Sequence, residues 1–294
     1  MNVVFMCVAG KQYGFGHVGR CKRIADALNA HARFVVDAPD NHARIMSYLA
    51  PYAVTFANKL SQGKGVTVPD VVVADVLSRS LVRFKNRAYP LIALDNYYSG
   101  AEVYVNIQKK TFKATGKVYT GTDYWAIDEP KRRKKWVQLR KVLVTFGYSD
   151  PACMTEKVIP QLLDAGLDIT CLVTPLFGER RRALRKLQVT VKEGADVQRE
   201  MLRADVCITG GGNTLIESIA HAVPCIVVPF ELLNAKLART LSVQGYCLVS
   251  SPKNINNFLH EPALRAVHTA CLRYNGYGLH RLCTIIRGVA HEGR

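Results

Sequence analysis

The run Gly14-Phe15-Gly16-His17-Val18-Gly19-Arg20 sets one titratable ring among three glycines. It follows an apolar stretch and opens a segment that carries Ile24, Ala27 and Leu28 on one helical face. Glycines let the backbone approach a ligand, and a helix N-terminus favours an anionic group. Histidine as a residue type has an unperturbed pKa near neutrality, which suits general-base work; the same residue type also serves as a purely structural side chain. The spacing Gly14-x-Gly16-x-x-Gly19 fits a dinucleotide fingerprint as well, with Asp37 as the acid about 20 residues on. That reading gives His17 no task.

A second constellation runs from Asp205 through Thr209-Gly210-Gly211-Gly212-Asn213-Thr214 to Glu217, followed by Val223-Pro224 and Val228-Pro229-Phe230. An apolar strand ends in three glycines, where Asn213 and Thr214 are expected to cap a helix whose N–H groups suit a diphosphate. Glu217, one turn inside, can accept hydrogen bonds from a diol, or serve as a solvated helix glutamate. Asn234 opens the helix after the next strand and projects to the same edge. The third run, Val142 to Phe146 and then Gly147-Tyr148-Ser149-Asp150-Pro151, also breaks from strand into glycine turn. Its simplest reading is a connection with Ser149 or Asp150 as N-cap.

These turns need strands to carry them. Short Val/Ile-rich runs alternate with segments of helical period, the pattern of βα units in a parallel sheet. Asn2–Ala9, Arg33–Val36, Val71–Ala74 and Leu91–Leu94 form one series, and Lys141–Phe146, Asp168–Val173, Val206–Thr209 and Cys225–Val228 a second. The chain thus reads as α/β with two Rossmann-like domains, 1–138 and 139–294, with the last helix returning to the first domain and the stretch 123–140 as linker.

The chain of 294 residues carries 40 basic against 23 acidic side chains, a formal charge of +17. Of these, 21 basic and 10 acidic residues precede position 139, so the first half holds most of the excess. Such a field concentrates polyanions, or keeps a surface soluble. Nine cysteines without a Cys-x-x-Cys pair argue against zinc or redox motifs and predict reduced thiols in a cytoplasmic protein. The opening residues lack a basic leader and read as a strand, and no apolar run nears the ~20 residues of a membrane span, so no integral membrane association is expected.

Taken in order, the motifs resemble the GT-B superfamily, and within it the UDP-sugar hydrolases of the pseudaminic acid pathway and related glycosyltransferases, including the lipid-II-forming N-acetylglucosaminyltransferase. The likeness runs nearly end to end: Gly-x-Gly-His-x-x-Arg at 14–20, Asp95-Asn96, Phe146 to Pro151, Gly-Gly-x-Thr-x-x-Glu at 211–217, Val223-Pro224, Asn234, and Asn275-Gly276-Tyr277-Gly278. It implies two Rossmann-like domains with parallel sheets facing across a cleft, a UDP-sugar donor in the C-terminal one, and inversion without metal or other cofactor. By the same resemblance His17 would be the base or charge stabiliser beside the reacting carbon, and Asn234 a catalytic residue contacting the sugar or phosphate. Gly16, Gly147, Gly211, Gly212, Asn213, Thr214 and Glu217 would bind the nucleotide-sugar. Two departures are plain. The hydrolases' Asp-His-Tyr-type segment is replaced by Asp75-Val76-Leu77-Ser78, and Tyr148 follows Gly147 where a small residue is expected.

The excess charge favours a transferase whose acceptor is a polyanion such as a modified base in DNA. Lys109, Lys110 and Lys113, with Arg132 and Arg133 of the Lys131–Lys135 block, would track the phosphates, and Tyr97, Tyr98, Phe112 or Trp125 would stack. The alternatives are a UDP-sugar hydrolase with an incidentally basic surface, and a non-catalytic nucleic-acid-binding module.

Overall fold

The computed structural model describes residues 1–10, 14–56, 68–76, 88–96, 100–106, 114–127, 130 and 132–292. The chain divides into two units, Met1–Asp128 with Gly276–Arg294, and Glu129–Asn275. In the first, runs of Val, Ile and Leu bounded by polar turns become β1 (Asn2–Val8), β2 (His31–Asp37), β3 (Ala53–Phe56), β4 (Val71–Asp75), β5 (Leu91–Leu94), β6 (Val103–Asn106) and β7 (Lys117–Thr120). They form one sheet in the order β3-β2-β1-β4-β5-β6-β7, parallel throughout. The central strands β4, β5 and β6 are buried along their whole length, as expected where a parallel sheet is covered on both faces. Helix α1 (Gly16–Leu28) follows β1, and α2 (His42–Leu49) follows β2.

The second unit repeats the plan with a shorter sheet. Its strands β8 (Lys141–Thr145), β9 (Asp168–Val173), β10 (Thr190–Glu193), β11 (Val206–Thr209), β12 (Cys225–Val227) and β13 (Leu248–Val249) run parallel in the order β10-β9-β8-β11-β12-β13. Six helices connect or cover them: α3 (Met154–Asp164), α4 (Arg180–Arg185), α5 (Val197–Arg203), α6 (Gly212–Ala220), α7 (Leu232–Val243) and α8 (Glu261–Leu272). In each sheet the strand order reverses once, at β1/β4 and at β8/β11, and open α/β sheets bind ligands at the carboxyl ends of such a switch point. His17 follows β1 and Asp75 ends β4; Gly147 follows β8 and Gly210 follows β11.

The final helix, α9 (Gly278–Glu292), belongs to the first unit. Leu279, Leu282, Cys283, Ile286 and Ala290 line one face and pack into the core made by Val3 and Phe5 of β1 and Val18, Cys21 and Ile24 of α1. Its start is fixed by Gly278, where a Cβ would lie 2.3 Å from the Trp125 carbonyl oxygen. Residues 129–138 fall in the second unit, not the first as the sequence suggested. The reason is polar: the Lys134 ammonium pairs with Asp205 at 2.9 Å, and the other Asp205 carboxylate oxygen accepts from the N–H groups of Arg140 and Lys141.

All nine cysteines are free, eight of them buried. Among the described residues no helix is long and apolar enough to cross a membrane. Ile286 is fully buried at the centre of the α9 face, so Ile286→Ala should destabilise the protein by about 2–5 kcal/mol in denaturant titration, through lost burial and the cavity left behind.

Candidate active site

At the end of β1 the chain turns on itself. Gly14 donates its N–H to the Gly10 carbonyl at 2.7 Å, and both glycines hold positive φ, 124° and 66°. At φ 124° Gly10 adopts a backbone conformation that other residues resist, and a Cβ there would also displace an Asp40 carboxylate oxygen 2.7 Å away. The turn delivers Gly16 as the first residue of α1, whose N-cap, Phe15, supplies no side-chain acceptor. His17 then sits in the first helical turn, with Arg20 three residues on and on the same face.

The two side chains converge on one carboxylate. His17 Nδ1 lies 2.7 Å from Asp75 Oδ1. Arg20 donates Nε to Asp75 Oδ2 at 2.7 Å and Nη2 to Asp75 Oδ1 at 2.6 Å, and its Nη1 reaches Asp95. Burial alone would push the Asp75 carboxyl up, but the Arg20 guanidinium, helped by His17, overrides it and holds the group well below the usual carboxylate range. An ionised carboxylate only accepts, so a neutral His17 makes this contact with its proton on Nδ1, which leaves Nε2 as the acceptor. The His17 side chain is 37% exposed and Asp75 2%, the pattern of a reactive group oriented from beneath by a buried one. Beside them Cys21 is buried and its thiol is pushed well up, which keeps it inert.

In the second unit the three glycines after β11 are each fixed by a neighbour or a dihedral. At Gly210 a Cβ would lie 2.5 Å from the Phe230 ring. Gly211 and Gly212 hold φ of 106° and 66°, and a Cβ on Gly211 would meet the Asn234 Cβ at 3.2 Å. Asn234 therefore lies directly against the glycine turn, with Nδ2 donating to Glu231 at 3.1 Å. The expected caps are corrected here. Helix α6 begins at Gly212 with Gly211 as N-cap, so Asn213 and Thr214 fall inside its first turn and no side chain caps it. The N-cap position is filled by a glycine, which has no side chain to accept from the first N–H groups of the helix. Glu217 is half-buried on the same helix.

The loop after β8 is held firmly. Gly147 has φ 80° with open space around it, and the Tyr148 carbonyl accepts from Thr174 Oγ1 at 2.6 Å. Asp150 accepts from the N–H groups of Met154 and Thr155 at the start of α3, so it does serve as a helix-end acceptor. Arg180 clamps Asp150 at 2.8 Å and Glu156 at 2.6 Å, and stacks over Phe177.

The proposed acceptor residues fare differently. Lys109, Lys110 and Lys113, like Tyr97, Tyr98 and Phe112, lie outside the described residues. Arg132 is exposed, and its carbonyl is 3.1 Å from His221 Nδ1. Arg133 donates to the carbonyls of Leu272 and Tyr274 at 2.8 and 2.7 Å, neutralising the C-terminal end of α8. Trp125 is fully buried and has no face for a base, which corrects its assignment as a stacking residue. Among the described residues no group of three or more His, Cys, Asp or Glu side chains stands close enough to hold a metal ion.

Asp75 was missed as a site residue. Its signal was an acid closing the apolar run Val71–Ala74 at a strand's carboxyl end, with His17 and Arg20 at helical spacing elsewhere in the chain. Only the sheet order brings them together.

No family model matches the chain. Among solved structures it is similar to MurG of Acinetobacter baumannii, with a TM-score of 0.67 at 14% identity over 98% of this chain and 100% of that one. It is also similar to the glycosyltransferase SsfS6 of Streptomyces sp. SF2575 in complex with thymidine diphosphate, with a TM-score of 0.66 at 13% identity over 99% of both chains. The fold is therefore that of the GT-B glycosyltransferases, MurG-like in form. In sequence the chain is a distant homologue of the spore coat polysaccharide biosynthesis protein SpsG of Bacillus subtilis (strain 168), at 24% identity over 284 residues, covering 84% of this chain and 83% of the relative.

The buried carboxylate gives the first sheet a pH dependence with a definite sign. Asp75 is held below its unfolded value of roughly 4, so its contribution to stability is present above that pH and is lost as pH falls through the folded value. Thermal midpoints should drop more steeply between about pH 5 and pH 2 for the wild type than for Asp75→Asn, which lacks this proton uptake.

Proposed function

We propose that this protein cleaves a UDP-activated sugar with water as the acceptor. The observation that carries the reading is the His17–Asp75 pair: a half-exposed imidazole with Nδ1 tied to an ionised carboxylate at 2.7 Å. His17 Nε2 takes a proton from water as the water oxygen bonds to the anomeric carbon. The bond from that carbon to the diphosphate oxygen breaks, and its electron pair leaves with UDP. The proton stays on the imidazolium, next to Asp75, until it passes to solvent. Attack opposite the leaving group inverts the anomeric centre.

The leaving diphosphate is assigned to the N-terminus of α6. The N–H groups of that first turn are preorganised for developing negative charge, with Gly211 and Gly212 allowing close approach and Asn234 alongside. Gly147 and its clamped loop are assigned to the same donor site, and Glu217 to the ribose diol. Gly16 is assigned to nucleotide-sugar binding by the GT-B resemblance, as a glycine whose backbone a ligand can approach closely. The distant homology to SpsG, a polysaccharide biosynthesis protein, supports sugar chemistry, and two structural neighbours, VinC and SsfS6, were crystallised with thymidine diphosphate. Water is preferred over DNA as acceptor because the polyanion argument has lost parts of its support: Arg133 and Lys134 are engaged within their own unit and Trp125 is buried. The +17 charge keeps transfer to a polyanion as the second reading.

Release of nucleoside diphosphate from a panel of UDP- and dTDP-sugars, with and without duplex DNA carrying hydroxymethylated bases, separates the two. The hydrolase releases UDP in water alone at a rate DNA does not change; release only with DNA establishes the transferase instead. His17→Ala should lower kcat by about 10²–10⁴-fold, the usual contribution of a general base, and leave UDP affinity unchanged. Glu217→Ala should do the reverse, weakening UDP by about ten- to a hundredfold with kcat nearly intact, as expected for a lost charge-assisted hydrogen bond. Calorimetry with UDP reads both.

A further inference from the structure

The motif that carries His17 also carries Arg20, and Asp95-Asn96 stands in the same ordered set, yet the reaction above gives none of them a task. We infer that Arg20 is a positioning residue that fixes the tautomer of His17, acting through Asp75 and anchored on its outer side by Asp95. The inference rests on His17 being the base.

The geometry is that of a fork closed on both sides. Nε and Nη2 of Arg20 engage the two oxygens of Asp75 side-on, at 2.7 and 2.6 Å. A carboxylate gripped at both oxygens cannot rotate about its terminal torsion, so Oδ1 stays aimed at His17 Nδ1, 2.7 Å away. The third arm, Nη1, reaches Asp95 at the exit of β5. Asn96 ties that exit to the exit of β4 by donating Nδ2 to the Val76 carbonyl at 2.5 Å. Arg20 is thereby held from two neighbouring strands, and its side chain is only 9% exposed.

Charge gives the fork a second purpose. Burial pushes Asp75 towards its protonated form, and the guanidinium is the largest influence opposing it. A protonated Asp75 would be a donor: it would keep its proton and donate a hydrogen bond to His17 Nδ1, and the neutral imidazole would then carry its hydrogen on Nε2, the atom that has to accept a proton from water. Arg20 keeps Asp75 an acceptor and so keeps Nε2 basic. Cys21 of α1 lies beside Asp75 and Arg20, and with its thiol pushed well up by burial it remains neutral and does not compete. Lysine cannot replace this arrangement, since a single ammonium cannot grip both oxygens in plane and reach Asp95 as well.

Ring-nitrogen NMR of His17 in the full chain, at a pH where the imidazole is neutral, tests this without reference to turnover. The wild type should show the Nδ1–H tautomer, and an Nε2–H ring in the wild type overturns the inference, whether or not any variant folds. Folded Arg20→Lys should shift the ring signals towards Nε2–H and lower kcat by about 10²-fold or more with KM unchanged, as expected when a base is held in the wrong tautomer. Unchanged ring signals in folded Arg20→Lys overturn it as well. If the signals shift as expected while the wild type cleaves no nucleotide-sugar, the positioning role stands and the proposed reaction is what fails.

Discussion

A single buried carboxylate organises the first unit's ligand edge. Asp75 closes a strand of fully buried residues, where a charge is costly unless it is paired, and it is paired on both sides. That pairing requires α1 to start where it does, so that His17 and Arg20 lie one turn apart over the end of β4. It requires the Gly10–Gly14 turn to be tight enough to bring α1 there. It also ties the exit of β5 to the same point through Asp95. Remove the charge and the turn, the helix start and two strand exits lose their common anchor.

The second unit's ligand edge is built by different means. Helix α6 starts at Gly212 with Gly211 as its N-cap, a residue with no side chain to cover the first N–H groups, and these are the donors to which the proposed reaction assigns the diphosphate. Glycine is required there twice over. At Gly210 the Phe230 ring leaves no room for a Cβ, and at Gly211 and Gly212 the backbone adopts dihedrals that other residues resist. Nearby, Arg180 pairs with Asp150 at 2.8 Å beside the loop that carries Gly147.

Much of this was legible in the sequence because parallel strands buried on both faces are continuous apolar runs, and all eight strands read from such runs are present. Five strands were missed, four of them with weaker signals: β3 and β7 lie at the sheet's edges with exposed positions, β10 is mostly polar, and β13 spans two residues. The fifth, β6, is fully buried but only four residues long and ends in Asn106. The glycine runs marked strand-to-helix turns that are present, and the GT-B likeness supplied the architecture. What the chain could not disclose was anything that depends on strand order. Asp75 meets His17 across 58 residues, and Arg133 meets the end of α8 across 139. Counting charge overstated a nucleic-acid surface for the same reason: a basic block in sequence does not reveal which of its members are already engaged at home. Helix capping by Asn213 and Thr214 failed on a local rule, since the helix starts earlier than its polar residues.

The central claim is that water, activated at His17, attacks the anomeric carbon. Turnover of a cleaved UDP-sugar in ¹⁸O-labelled water, with mass analysis of both products, tests it most directly. The account predicts the label in the sugar and none in UDP; label in the β-phosphate of UDP would mean that water attacks phosphorus, and would contradict it.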